Sequence, residues 1–238
     1  MRFILVHGLG LSSRIWSSLT PLLPGIVEAL DMPGHGGRAD GLYEWSAVWA
    51  QLLSDIGSVD WPNTTLVLHS FSAALIPEVV NSGIKPHKVV LIEGILFSEA
   101  GSWTERISQL SDVDFEIWLS GFRSVSKMAL KSQLVSRPND GLLSYWSDGF
   151  RIVSGKALQQ HSINLCSRLN NGGLFRAVEA TSFPVLYLLG DHSRLARAKR
   201  YLLAQTLFPV EQVASSGHFP MIDNPSDLAA FISGQPKI

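Results

Sequence analysis

Apolar residues gather along this chain in short, mostly unbroken runs rather than in alternation with polar ones. The runs are Phe3–Val6, Ile26–Leu30, Thr65–Leu68, Val89–Ile92, Val185–Leu189 and Glu211–Ala214, each closed by glycine or a polar residue. Such runs suit strands covered on both faces, the pattern of a parallel sheet sandwiched by helices. Segments long enough for crossover helices lie between them, such as Tyr43–Gly57 and Ser72–Ser82. The alternation predicts an α/β fold: a doubly wound, mostly parallel sheet of about six strands.

The alternation breaks once. Between Leu96 and Thr181 no strand-like run occurs, but helical patterns do, among them Asp114–Phe122 and Val125–Val135. An insertion of this size between two strands is expected to form a helical cap over the strand ends, where open α/β sheets hold their ligands. The expected division is a core of residues 1–96 and 182–238 with a cap over 97–181. Three of the seven tryptophans, Trp103, Trp118 and Trp146, fall in the cap and are candidates for a substrate pocket. No internal repeat or low-complexity tract is visible, and Gly234–Lys237 is expected to fray.

Composition narrows the function classes. The chain has 238 residues, 46% apolar and 16% charged, one cysteine and a net charge of −1. That length fits one α/β domain. A lone Cys166 excludes an intramolecular disulfide framework and a cysteine-rich zinc site. Near-zero net charge gives no basis for general nucleic-acid binding. The opening run stops at His7-Gly8, too short for the core of a signal peptide, and no small-residue cleavage site follows. Nothing approaches the ~20 apolar residues of a membrane span. A cytoplasmic protein with no nucleic-acid or membrane partner is expected. Charge is uneven, with the densest basic cluster at Arg194, Arg197, Lys199 and Arg200. The cluster is read chiefly as a solvated helix face, with an anionic substrate or acidic carrier as the alternative.

Candidate chemistry sits at three strand ends. His7-Gly8-Leu9-Gly10 follows the first run, and its glycines allow a sharp turn that leaves the Leu9 N–H facing the crevice. Leu68-His69-Ser70-Phe71-Ser72 leaves a strand and enters a helix, a turn that exposes a serine hydroxyl. Taken alone, this segment also reads as a helix N-cap. Ser215-Ser216-Gly217-His218-Phe219-Pro220 follows the last run and can bring His218 back over the strand ends.

Together these motifs resemble the α/β-hydrolase family over almost the whole chain. Asp31-Met32-Pro33-Gly34-His35-Gly36 after the second strand and Asn224-Pro225 after His218 strengthen the resemblance. The chain starts at the strand before the histidine-glycine turn, so the family's first two strands are expected to be absent. The resemblance implies Ser70 as nucleophile, His218 as general base, and the N–H groups of Leu9 and Phe71 as oxyanion hole. Ser72 is a rival nucleophile by its small neighbours but lies beyond the turn in the family register.

The acid is the open position. The family's usual site, third after Gly190, is Ser193. Glu93, ending the strand after the nucleophile helix, is preferred because haloalkane dehalogenases are among the members with an acid there; Asp191 is the alternative. Serine in place of the dehalogenase aspartate argues against an alkyl-enzyme. No metal-ligand spacing or phosphate loop is present, so neither metal nor cofactor is expected. The expected function is a serine hydrolase cleaving a small, largely apolar ester, lactone or thioester. A non-hydrolytic lyase and a receptor-like small-molecule binder are the alternatives, and a carrier-bound acyl thioester is a minority option.

Overall fold

The computed structural model describes residues 1–98, 102–194, 200 and 203–234. Six strands form one all-parallel sheet: β1 Arg2–Val6, β2 Ile26–Leu30, β3 Thr64–His69, β4 Lys88–Ile92, β5 Val185–Gly190 and β6 Val210–Val213. Their spatial order is β2-β1-β3-β4-β5-β6. All six expected runs are strands, with ends shifted by no more than a residue.

The runs lack polar alternation because both faces are covered. Ile4, Val6, Leu66, Leu68, Val89, Leu91 and Tyr187 point into one apolar layer, with Trp49 and Val79 from the helices of that side. Phe3, Leu5, Val67, Val90, Ile92 and Leu188 point into the other, with Trp16, Leu228 and Ile232. Neighbours in a strand therefore face opposite ways and both are buried, as in a doubly wound sheet.

The helices are α1 Trp45–Ile56, α2 Ile76–Asn81, α3 Trp103–Gln109, α4 Asp112–Lys131, α5 Asp140–Ile152, α6 Gly155–Leu169 and α7 Gly173–Glu179, followed by Pro220–Asp223 and Pro225–Ser233. Two depart from expectation. The segment after Ser70 is a 3-10 helix, Ser70–Leu75, and becomes α-helical only at Ile76. Pro77 then sits in the first turn of α2, where a missing N–H costs nothing. The pattern at 114–122 and most of that at 125–135 are a single helix, α4, which ends at Lys131, so residues 132–135 lie beyond it. No proline interrupts it, and its start is capped by the Ser111 hydroxyl accepting the Asp114 N–H.

Helices α3–α7 fill the interval between β4 and β5, and no strand occurs there among the described residues. They are tied to the rest of the chain by specific bonds. Arg168 on α6 forms an ion pair with Glu78 on α2 and also donates to the Ala74 carbonyl at 2.6 Å. Among the described residues no helix is long and apolar enough to cross a membrane. The tail positions 235–238 and the basic residues Arg197 and Lys199 lie outside the described residues.

Candidate active site

The strand order reverses between β1 and β3, so the segments leaving these two strands diverge and open a crevice at their carboxyl ends. Pairing of Val6 with Leu68 sets the His7–Gly10 turn directly beside His69 and Ser70. Pairing of His69 with Ile92 sets Glu93 on the other side of Ser70. Register alone thus brings together residues far apart in sequence.

Ser70 has φ of 56°, a left-handed backbone that few side chains adopt, and it marks the point where β3 breaks into the 3-10 helix. Its turn is held by the Ile95 N–H donating to the Ser70 carbonyl at 3.1 Å. Gly8 packs against it so closely that an added Cβ would lie 2.7 Å from His69 Nδ1 and 3.1 Å from Ser70 Cβ. A side chain there would collide with the His69 ring and crowd Ser70. The rival Ser72 is fully buried, and its hydroxyl donates to the carbonyls of His69 (2.9 Å) and Val6 (3.1 Å).

His218 follows β6 in a loop fastened from two directions. The Asp191 carboxylate accepts the N–H groups of Ser215 (2.9 Å) and Ser216 (2.8 Å), and Asp223 accepts the Gly217 N–H (2.8 Å). His69 Nε2 donates to the His218 carbonyl at 3.0 Å. The His218 ring then stands with Nε2 3.2 Å from Ser70 Oγ and Nδ1 3.3 Å from Glu93 Oε2.

Glu93 is fully buried, with φ of 51°. A buried carboxylate is costly unless its lone pairs are matched. Here Oε1 accepts the Gly190 N–H at 2.7 Å, and Oε2 accepts the Ser193 hydroxyl at 2.6 Å besides facing His218. Asp191 is turned to the loop backbone instead. Burial raises its pKa, but the N–H donors of Ser216 and Ser215, with His192 nearby, outweigh that and hold it below the usual carboxylate range. Ser193, at the position where the family's usual acid would stand, cannot serve as one and instead donates its hydroxyl to the Glu93 carboxylate.

The Leu9 turn carries its own bonds. Leu11 N–H donates to the Gly8 carbonyl (3.2 Å) and Gly10 N–H to His35 Nε2 (3.1 Å), and neither uses the Leu9 N–H. Phe71 is fully buried, one residue beyond Ser70. Above these residues lies a cavity of about 550 Å3, walled by Leu9, Leu11, Trp103, Leu134 and Phe150. Arg106 and Arg194 also line it, and among the described lining residues none is acidic.

Of the three tryptophans, only Trp103 reaches the cavity. Trp118 lies flat on Phe122, with ring centroids 4.9 Å apart. Trp146 is buried and donates to Ser17 Oγ at 2.9 Å. Their helices turn these two faces into packing, which hydropathy along the chain does not reveal. Cys166 is a partly buried free thiol on α6, away from the cavity walls. Among the described residues no group of three or more histidine, cysteine or carboxylate side chains could hold a metal ion.

A profile described as the alpha/beta hydrolase family matches residues 3–231. A pimeloyl-[acyl-carrier protein] methyl ester esterase of Photobacterium profundum is 28% identical over 158 residues, spanning 57% of this chain and 60% of the relative. Among solved structures, an esterase from Exiguobacterium antarcticum superposes with a TM-score of 0.78 at 12% identity, covering 98% of this chain and 91% of that one. A haloalkane dehalogenase from Bradyrhizobium elkani superposes with a TM-score of 0.76 at 17% identity, covering 98% and 88%.

Proposed function

Since the chain belongs to the alpha/beta hydrolase family, we propose that it is a serine esterase cleaving a small, largely apolar carboxylic ester through an acyl-enzyme on Ser70. The observation that carries this reading is the continuous line from Glu93 through His218 to Ser70, with contacts of 3.3 and 3.2 Å. Glu93 can only accept from His218 Nδ1–H, which leaves Nε2 free to take a proton. Ser70 Oγ attacks the ester carbonyl while His218 Nε2 removes its proton, and the imidazolium formed is stabilised by Glu93. The N–H groups of Leu9 and Phe71 donate to the oxyanion, each worth about 3–4 kcal/mol of barrier. His218 passes the proton to the leaving alkoxide. A water then repeats the sequence on the acyl-enzyme, releasing the acid and restoring Ser70.

Helices α3–α7, within residues 97–181, act as the cap in this reading. Trp103 of α3, Phe150 of α5 and Leu134 of the turn between α4 and α5 give the cavity an apolar side suited to a short acyl chain. Arg106 and Arg194 at the same cavity favour one elaboration. The Photobacterium relative is named for an ester of a carrier-linked acyl group. An acidic carrier presenting such an ester would meet these two cations first. Comparing hydrolysis of one methyl ester free and carrier-linked decides this elaboration.

Intact mass after fluorophosphonate treatment tests the main reading, with a p-nitrophenyl butyrate assay alongside. A single adduct and turnover on the wild type, both lost in Ser70→Ala, are expected. A folded wild type that takes no adduct overturns the reading in favour of a binding protein. Turnover without incorporation of solvent oxygen into the product favours a lyase.

A further inference from the structure

Two buried histidines that the proposed reaction does not use lie behind the Leu9 turn, and their hydrogen bonds are reciprocal. His7, at the end of β1, accepts the Met32 N–H on Nε2 at 3.1 Å, with Nδ1 2.8 Å from the Gly8 carbonyl oxygen. His35, in the loop after β2, accepts the Gly10 N–H on Nε2 at 3.1 Å, with Nδ1 3.0 Å from the Pro33 carbonyl oxygen. A carbonyl only accepts and a backbone N–H only donates. Both rings must therefore be neutral and carry their proton on Nδ1. Each segment lends an N–H to the ring borne by the other. The rings stand 5.0 Å apart, and both are fully buried.

The peptide groups they hold are the two that flank Leu9. A peptide unit is planar, with C=O and N–H on opposite edges. The Gly8 carbonyl and the Leu9 N–H belong to one such unit, so the His7 bond to that oxygen fixes where the Leu9 N–H points. The Gly10 N–H belongs to the next unit, and His35 fixes that one. If the first unit rotated, a carbonyl would replace the N–H beside the substrate oxygen, turning attraction into repulsion. We propose that His7 and His35 are positioning residues, a two-imidazole clasp that keeps the Leu9 N–H aimed at the oxyanion. The proposal rests on the esterase reading given above.

Neighbours suit the clasp to stay neutral. His161 from α6 packs 5.5 Å from the His35 ring and 5.2 Å from the Phe71 ring, closing the far side with aromatic surface. Asp31, whose Oδ1 is 3.7 Å from His7 Nε2, directs its carboxylate to the N–H and hydroxyl of Ser13. Burial holds the pKa of His7 down to about 4 and that of His35 to about 3. Neither ring charges at neutral pH.

The test compares His35→Leu and His7→Leu with His35→Gln and His7→Gln, glutamine keeping one acceptor and one donor. With an ester substrate, the leucine variants should lose about tenfold to a hundredfold in kcat with KM little changed, short of the ~10²–10³ lost on deleting an oxyanion donor. Inhibition by an alkyl trifluoromethyl ketone, whose adduct carries the same oxyanion, should weaken by a similar factor. The glutamine variants should recover most of both. Leucine variants that keep full kcat, or glutamine variants that lose as much as leucine, overturn the proposal. If the variants do not fold, nitrogen-15 spectra of the wild-type imidazoles decide. Both rings must be neutral and protonated on Nδ1 at pH 7, and any other state overturns the clasp. That spectrum needs no turnover, whereas the Ser70→Ala comparison judges the esterase reading by itself.

Discussion

Ser193 stands where the family register places an acid, and in the folded chain its hydroxyl donates to Glu93 Oε2 at 2.6 Å. The carboxylate that faces His218 is that of Glu93, which reaches the ring from the end of β4 at 3.3 Å. Glu93→Gln should therefore lower kcat by ~10³–10⁴-fold, as expected when a triad loses the anion that sets its tautomer. Asp191→Asn should retain most activity and lose about 1–2 kcal/mol of stability, because its carboxylate only fastens the loop before His218. Steady-state kinetics with urea denaturation of both variants checks the ranking; the opposite order would reverse the assignment. At this scale the meeting of Ser70 and His218 was legible from the resemblance of their two motifs, taken together, to the family, and the structure brings the two within 3.2 Å. Ser193, His7 and His35 were not legible, since their partners lie across strands and loops that only the register brings together.

At the scale of elements, strands were the most legible part. A run such as Val89–Ile92 has apolar residues on both faces because the sheet is covered on both, and that shows in hydropathy. The 3-10 helix after Ser70 did not show. It follows from the left-handed Ser70 and from Pro77, which delays a regular helix until Ile76. The contact between α6 and α2 was equally hidden. It depends on Arg168, whose partly exposed guanidinium pairs with Glu78, a carboxylate of only 10% side-chain exposure. Breaking a buried pair leaves the remaining charge unmatched. Arg168→Leu should cost about 2–3 kcal/mol, below the ~3–5 of a fully buried pair because the arginine is partly solvated. Chemical denaturation of this variant beside the double variant with Glu78→Leu checks it; the second substitution should restore part of the loss.

For the whole molecule, the buried histidines set how stability depends on pH. Burial lowers the pKa of His7 to about 4 and of His35 to about 3, and pushes His69 and His161 in the same direction. In the unfolded chain each titrates near 6.5. Below that value the unfolded state binds protons that the folded state refuses, so folding weakens as pH falls from about 6.5 towards 4. Stability should be full above pH 7 and drop by a few kcal/mol by pH 5. Urea midpoints at pH 7.5 and 5 measure it. A midpoint unchanged between them would mean that these rings are not held neutral inside the fold.

The long excursion between β4 and β5 bears on the order of events during folding. Ile92 and Leu188 are paired neighbours in the sheet, yet helices α3–α7 separate them along the chain. Closing so large a loop is entropically slow compared with forming helices from local contacts. Glu93 ends one of those strands and Gly190, its hydrogen-bond donor, ends the other, so the carboxylate has no home until the two meet. In refolding from urea, helical circular dichroism should return first, and fluorophosphonate labelling of Ser70 should lag behind it. Reactivity is then a clock for the last stage of assembly.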